Sequence, residues 1–158
     1  MKSLLLIVLL FVSNQLLAHE VLLKLSLSPA GSFEAKTNKM EGTVKKVGNK
    51  YSSDKLSLMV SDLTTGIELR DNHFRKHLNF EKYPKIYMTN IIAENGKGEG
   101  ILFVNNEKQK INFEYKNTSD KKIEATFKVI PSSFKLKEAK YLEIGVDDEV
   151  EIVAIIVL

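Results

Sequence analysis

Two histidines four residues apart, His73 and His77, are the side chains whose spacing first suggests chemistry. On a helix that spacing puts both on one face, where a pair of imidazoles can hold a metal ion. No zinc-type Glu-His motif surrounds them, and His19 is the only other histidine. The plainer reading has His73 packed or hydrogen-bonded near its neighbours and His77 in solvent. Arg70 and Asp71 stand just before them. A guanidinium suits a phosphate head group, and the pair also suits a local ion pair or helix-capping contact. Asp147-Asp148-Glu149 lacks the ligand spacing of a calcium loop and reads as a solvated turn. The chain contains no Gly-x-Ser-x-Gly elbow and no phosphate-cradling glycine loop. With no cysteine there is no thiol nucleophile, no disulfide and no Cys-bound zinc. The residues therefore point away from an enzyme, and they ask for no metal and no cofactor.

The elements that must position these residues are mostly strands. Val21, Leu23, Leu25 and Leu27 alternate with polar residues, a period of two with one face buried. Pro29-Ala30-Gly31-Ser32 reads as a turn, after which Phe33 and Ala35 alternate with Glu34 and Lys36. Gly42 interrupts the following strand and suggests a bulge or bend. Leu56, Leu58 and Val60 continue the pattern. Residues 66–78 break it, and Leu69, His73, Phe74 and Leu78 fit a short helix with one apolar side near residues 68–78. Pro84 opens an extended run with Ile86, Met88 and Asn90 on one face. Asn95-Gly96-Lys97-Gly98 reads as a turn, and Asn105-Asn106 joins two alternating runs in a hairpin. Ile123 to Val129 alternates again. Val150, Ile152, Ala154 and Ile156 do the same, with Val153, Ile155 and Val157 apolar on the opposite face, so the last strand is expected to be covered on both sides. About eight short strands without βαβ alternation predict an all-β antiparallel barrel, since closure removes exposed edges.

The N-terminus has a separate role. Lys2 precedes an apolar run of nine residues, 4–12, and Leu16-Leu17-Ala18 follows a polar step. This is the order of a secretory signal peptide, and the run is far shorter than the ~20 residues of a spanning helix. Residues 1–18 are expected to be cleaved after Ala18, leaving one domain over 19–158. The 158 residues are 44% hydrophobic and 27% charged, an ordinary globular profile, with a formal net charge of +3. Positive and negative charges are interspersed, which argues against a nucleic-acid binder. No later segment is long and apolar enough for a membrane helix, and with no cysteine a lipoprotein anchor is not expected.

The middle of the chain resembles the YceI-like family of exported, lipocalin-like β-barrels. The resemblance rests on Leu69-Arg70-Asp71-Asn72-His73-Phe74-Arg75, then Leu78-Asn79-Phe80 and Tyr83-Pro84-Lys85-Ile86. It continues through Gly100-Ile101-Leu102 and the hairpin after it, to Tyr141-Leu142-Glu143-Ile144-Gly145-Val146-Asp147-Asp148-Glu149-Val150 near the end. Two departures stand out. Many members begin the mature domain with a His-Ser pair leading into an apolar strand, where this chain reads Leu27-Ser28-Pro29-Ala30-Gly31-Ser32-Phe33, and this chain has no tryptophan. The resemblance implies a Gram-negative periplasmic location and a barrel whose lumen takes up a long apolar chain such as a polyisoprenoid.

Alternation alone places Leu25, Leu27, Phe33, Leu58, Val60, Ile86, Met88, Leu102, Phe113, Phe127, Ile152 and Ala154 on the inner face. Periodicity does not separate a filled core from a ligand tube. With the resemblance, the set without Ala154, joined by Arg70, His73 and Phe74, becomes the expected ligand-binding residues. An acyl or prenyl chain would gain roughly 0.8 kcal/mol per buried methylene there. The function expected is thus carriage of a polyisoprenoid or fatty-chain lipid, with a solid-cored protein-interaction adaptor as the alternative. No nucleic acid and no stable membrane anchor are expected as partners, and a homodimer stays open.

Overall fold

The computed structural model describes residues 18–141 and 144–158. Apart from Ala18, the predicted signal segment lies outside the described residues. Ten strands run in chain order: β1 (His19–Ser28), β2 (Ser32–Gly42), β3 (Lys45–Val47), β4 (Lys50–Met59), β5 (Lys85–Glu94), β6 (Lys97–Val104), β7 (Glu107–Ser119), β8 (Lys122–Val129), β9 (Lys140–Tyr141) and β10 (Ile144–Val157). A helix, α1 (Glu68–His77), and two short 3-10 turns, Val60–Asp62 and Pro131–Phe134, join them. Eight strands close on themselves in the order β1-β2-β4-β5-β6-β7-β8-β10, with β10 pairing back to β1, and every pairing is antiparallel. Short β3 adds to β4 and short β9 to β10, outside the ring. The fold is the antiparallel barrel that the alternating strands predict, and it is lipocalin-like, as the resemblance implies.

Turn chemistry sets much of this register. Asn95-Gly96 and Asn105-Asn106 all have positive φ, from 51° to 81°. Two such residues in a row form the tight hairpin turn whose twist matches its strands. They connect β5 to β6 and β6 to β7. Gly42 ends β2 at φ 129°, and a Cβ there would lie 2.4 Å from the Lys55 carbonyl oxygen, so only glycine lets β2 approach β4 this closely. That seam has two partner pairs, Glu41 with Ser57 and Gly42 with Leu56. Farther up β2, paired backbone bonds between Lys36 and Thr64 take over, at 2.9 and 3.0 Å.

Strict alternation fails at one height. On β4 the inward residues are Tyr51 and Ser53, then Leu56 and Leu58. Its partner β5 shifts at the same level, from Ile86 and Met88 to Ile91 and Ala93. Asn90 takes φ 52° at the break and is exposed, so it does not share a face with Ile86 and Met88. The sheet bends there, and β5 slips against β6 between Thr89 and Ile92.

The core gathers inside the ring and under the cap: Val21, Leu25, Ala35, Tyr51, Leu58, Val60, Leu102, Ile111, Ile123, Val150, Ile152, Ala154 and Ile156 are all buried, with Leu63, Phe74, Leu78, Phe134 and Leu136 covering one end. Outside, Lys24–Glu151, Lys128–Glu149, Lys110–Glu99 and Lys116–Glu124 pair across neighbouring strands at 2.7–2.8 Å. These exposed pairs favour the observed register and contribute little else. Asp147, Asp148 and Glu149 belong to β10 and are exposed. Asp148 accepts a hydrogen bond from the Ser132 N–H at 2.9 Å, tying the strand to the turn after β8.

Candidate functional site

Helix α1 lies across one end of the barrel, and its buried stripe explains how it is seated. Asp71, Phe74 and Leu78 are buried, with Arg75 partly buried between them. Positions 71, 74, 75 and 78 follow the spacing of one helix face. Leu69 is 69% exposed and His73 is exposed as well. The expected apolar side containing Leu69 and His73 is therefore corrected: the helix is turned so that a carboxylate and a guanidinium share the inner face with the two apolar residues. The histidine roles are reversed too. His73 stands in solvent, whereas His77 is partly buried, and burial lowers its pKa.

Three charged side chains fasten α1 to the preceding loop. Asp71 accepts from the Thr64 hydroxyl at 2.7 Å, the Thr65 N–H at 2.6 Å and the Thr65 hydroxyl at 2.5 Å. Burial pushes this carboxyl up, but the bonds from Thr65 and Thr64, with help from nearby Arg75, outweigh it and hold the pKa below the usual carboxylate value. Arg70 donates through Nη2 to the Thr65 carbonyl at 3.0 Å, and Arg75 to the Leu63 carbonyl at 3.1 Å. At the helix's other end Asn79 donates to the Asn105 side chain at 2.8 Å, and Asn105 to the Phe134 carbonyl at 3.0 Å. The cap is thus tied to β2 through the loop and to the β6–β7 hairpin through the two asparagines.

Beneath the cap, Phe74 meets Phe33 edge to face at 6.5 Å between ring centroids. The Arg70 guanidinium lies 4.7 Å over the same Phe33 ring. Phe33 points inward and is only partly buried, as are Ile86 and Val129 at this end. At mid-height a second set is also inward and partly buried: Leu23, Leu56, Met88, Phe113, Ala125 and Phe127. Toward the opposite end the walls close again, with Val21, Tyr51, Ser53, Ala93, Ile123 and Ile156 buried. There Tyr51 of β4 meets Tyr115 of β7 edge to face at 5.4 Å, and its hydroxyl donates to Asn117 at 3.0 Å. Because β5 and β6 separate these strands in the sheet, the contact crosses the barrel end as a bar. Inward apolar side chains thus stay partly open in mid-barrel, between a helical cap and a tyrosine floor. Gly98 and Gly100 leave room for two of these side chains: a Cβ on Gly98 would lie 2.2 Å from the Phe113 ring, and one on Gly100 would lie 2.8 Å from the Met88 sulfur.

Of the sequence-expected residues, Phe33, Ile86, Met88, Phe113 and Phe127 stand on this partly open inner wall, and Arg70 with Phe74 forms its cap. Leu25, Leu58, Val60, Leu102, Ile152 and Ala154 are buried in the surrounding core. Leu27 is partly buried beside Gly31 in the β1–β2 turn, and His73 faces away. Sequence reasoning missed Leu23, Leu56, Ala125 and Arg75. The first three continue alternating runs that were visible, and Arg75 follows Phe74 on the buried stripe.

A large open groove lies across the same strands. It measures about 1090 Å³ and takes consecutive triplets, Ile92-Ala93-Glu94, Lys97-Gly98-Glu99, Asn112-Phe113-Glu114 and Thr126-Phe127-Lys128. The outer members of each triplet face outward, so this groove crosses the outer wall, which twisted strands leave concave along the barrel axis. Exposed Ile92 and Val47 lie in it. A cleft of about 590 Å³ lies beside the end of α1, between Lys76, Phe80, Tyr83 and Lys135. Among the described residues no three His, Asp or Glu side chains gather where they could hold a metal, and no helix is long and apolar enough to cross a membrane.

A family model described as the YceI-like domain matches residues 19–158. No curated protein sequence matches the chain. Similar solved structures include BcnA of Burkholderia cenocepacia, with TM-score 0.71 and 15% identity, covering 89% of this chain and 96% of that one. A polyisoprenoid binding domain from Saccharophagus degradans, implicated in plant cell wall breakdown, aligns with TM-score 0.65 and 10% identity over 88% of this chain and 92% of that one. A YceI protein of Campylobacter jejuni gives TM-score 0.57 and 17% identity over 78% of this chain and 82% of that one.

Proposed function

This chain belongs to the YceI-like domain family, and from that premise we propose that it is a non-enzymatic binding protein that encloses a long hydrophobic molecule, a polyisoprenoid or fatty chain, inside the barrel. One observation carries the reading: Leu23, Leu56, Met88, Phe113, Ala125 and Phe127 point inward at mid-barrel and remain partly uncovered. An apolar wall is a poor partner for water, and a chain lying against it gains free energy with each methylene it buries. The similar polyisoprenoid binding domain supports the choice of ligand class. Export to the periplasm after cleavage behind Ala18 fits the N-terminal segment, and it would let the barrel move an insoluble chain through water. The test is native mass spectrometry and solvent extraction of protein purified from its host, followed by uptake of prenyl and acyl chains by the stripped protein. A co-purifying lipid, or stoichiometric uptake, supports the carrier. A barrel that arrives empty and takes up neither class sinks it.

The outer groove favours a second reading, an adaptor that presents Ile92 and Val47 to a protein partner. It predicts partner capture that is lost in Ile92→Asp and indifferent to lipid.

A further inference from the structure

Both arginines of the cap keep a donor in reserve. The Nε–H groups of Arg70 and Arg75 are buried, and neither meets an acceptor among the described residues. Each side chain is already committed through Nη2, to the Thr65 and Leu63 carbonyls. The carboxylate next to them does not fill the gap, because the hydrogen bonds to Asp71 come from Thr64 and Thr65. A buried donor on a charged group without an acceptor costs more than an ordinary unmade hydrogen bond. Two of them on one short helix, at the end of an apolar chamber, call for an acceptor from outside the protein.

We propose that the cap is an anion subsite in which Arg70 and Arg75 hold the carboxylate or phosphate head of an amphiphile whose chain runs into the barrel. The inference rests on the chamber reading above and adds the head group to it. Guanidinium donors match the oxygens of either anion in pairs, and such charge-assisted bonds are about twice as strong as neutral ones. Phe33 joins the two halves of the site. Its ring supports the Arg70 guanidinium at 4.7 Å and belongs to the apolar inner wall. Head and tail recognition therefore meet at one side chain. Asp71 offsets one of the two positive charges, which leaves the site a net charge near +1 toward an anionic head.

The test compares ligands that differ only in the head. Stripped wild-type protein is titrated at pH 8 with hexadecanoic acid against hexadecanol, and with farnesyl monophosphate against farnesol, by displacement of the neutral fluorescent probe phenylnaphthylamine. At least one anion should bind about tenfold or more tightly than its alcohol, and the arm with the larger ratio assigns carboxylate or phosphate. Arg75→Gln and Arg70→Gln should each bring that ratio toward one by weakening the anion more than its alcohol. Equal affinity of both anions and their alcohols for the wild type overturns the anion subsite and leaves the chamber standing. Failure of all four ligands to bind overturns the chamber and the subsite together. The wild-type ratios decide the matter even if one arginine variant does not fold.

Discussion

Thr65 donates twice to one oxygen of Asp71, through its backbone N–H at 2.6 Å and its hydroxyl at 2.5 Å. This double contact fixes the loop that carries α1 onto the barrel, in a helix whose first residue has no side-chain cap. Asp71→Ala should leave the donors of Thr64 and Thr65 without their acceptor and Arg75 without its nearby counter-charge. A loss of about 2–4 kcal/mol is expected in urea unfolding. Thr64→Val removes one of the three bonds and should cost about 1 kcal/mol. An Asp71→Ala variant as stable as wild type would show that the cap is held by its apolar contacts alone.

Two groups tie stability to pH, and both act in the same direction. Asp71 titrates in the folded protein below the ordinary value of 3.8, and His77 below 6.5. In each case the unfolded chain takes up its proton first, so stability falls as pH falls. The His77 contribution is complete above pH 6.5 and declines below it. The Asp71 contribution is complete well above pH 3.8 and declines as pH drops through and below that value. Urea midpoints measured from pH 8 to 3 should show two separate descents, and His77→Gln should remove the upper one alone. A midpoint flat between pH 7 and 5 in the wild type would contradict the burial of His77.

The barrel was legible in the sequence because period-two alternation survives in β1, β8 and the second half of β10, and because Asn-Gly and Asn-Asn mark their turns directly. The break at Asp54 and Asn90 was not legible. A left-handed Asn90 moves the inner face of β5 by one residue, and β4 moves with it, so strict alternation from Ile86 and Met88 puts Asn90 inside in place of Ile91 and Ala93. The helix misled in another way. Leu69 and His73 suggested an apolar side by residue type, whereas the stripe at 71, 74, 75 and 78 is inward because Asp71 and Arg75 find partners in the loop at 63–65. A charged residue on a buried face is visible to the eye only once its acceptors are known.

Gly98 is expected to control the width of the chamber. Its missing side chain makes room for the Phe113 ring, which a Cβ would approach to 2.2 Å, and that Cβ would also lie 2.8 Å from Ala93 Cβ. In Gly98→Ala the ring must swing toward the barrel axis. Overpacking of this kind costs typically about 1–3 kcal/mol. The swung ring should also shorten the longest acyl chain taken up, measured across a series of fatty acids of increasing length. Unchanged chain-length preference in a folded Gly98→Ala protein would place the ligand away from Phe113.

Leu23 and Leu25 give the sharpest separation between an open barrel and a solid one. Both point inward on β1, two residues apart, yet Leu25 is 5% exposed while Leu23 is only partly buried beside the mid-barrel space. Enlarging a side chain in a packed core forces neighbours off their rotamers, whereas enlarging one beside a void fills it. Leu25→Trp should therefore lower the urea midpoint clearly, with a loss of about 1–3 kcal/mol. Leu23→Trp should keep a midpoint near wild type and abolish uptake of the long chain, because the indole would occupy the ligand's place. The chain has no tryptophan of its own, so the introduced indole reports its surroundings without background. At position 23 its emission should lie at the blue, apolar end and respond when a prenyl or acyl chain is added. Equal destabilisation by the two variants would mean that β1 faces a core packed solid along its length, and a chamber in that wall would be ruled out.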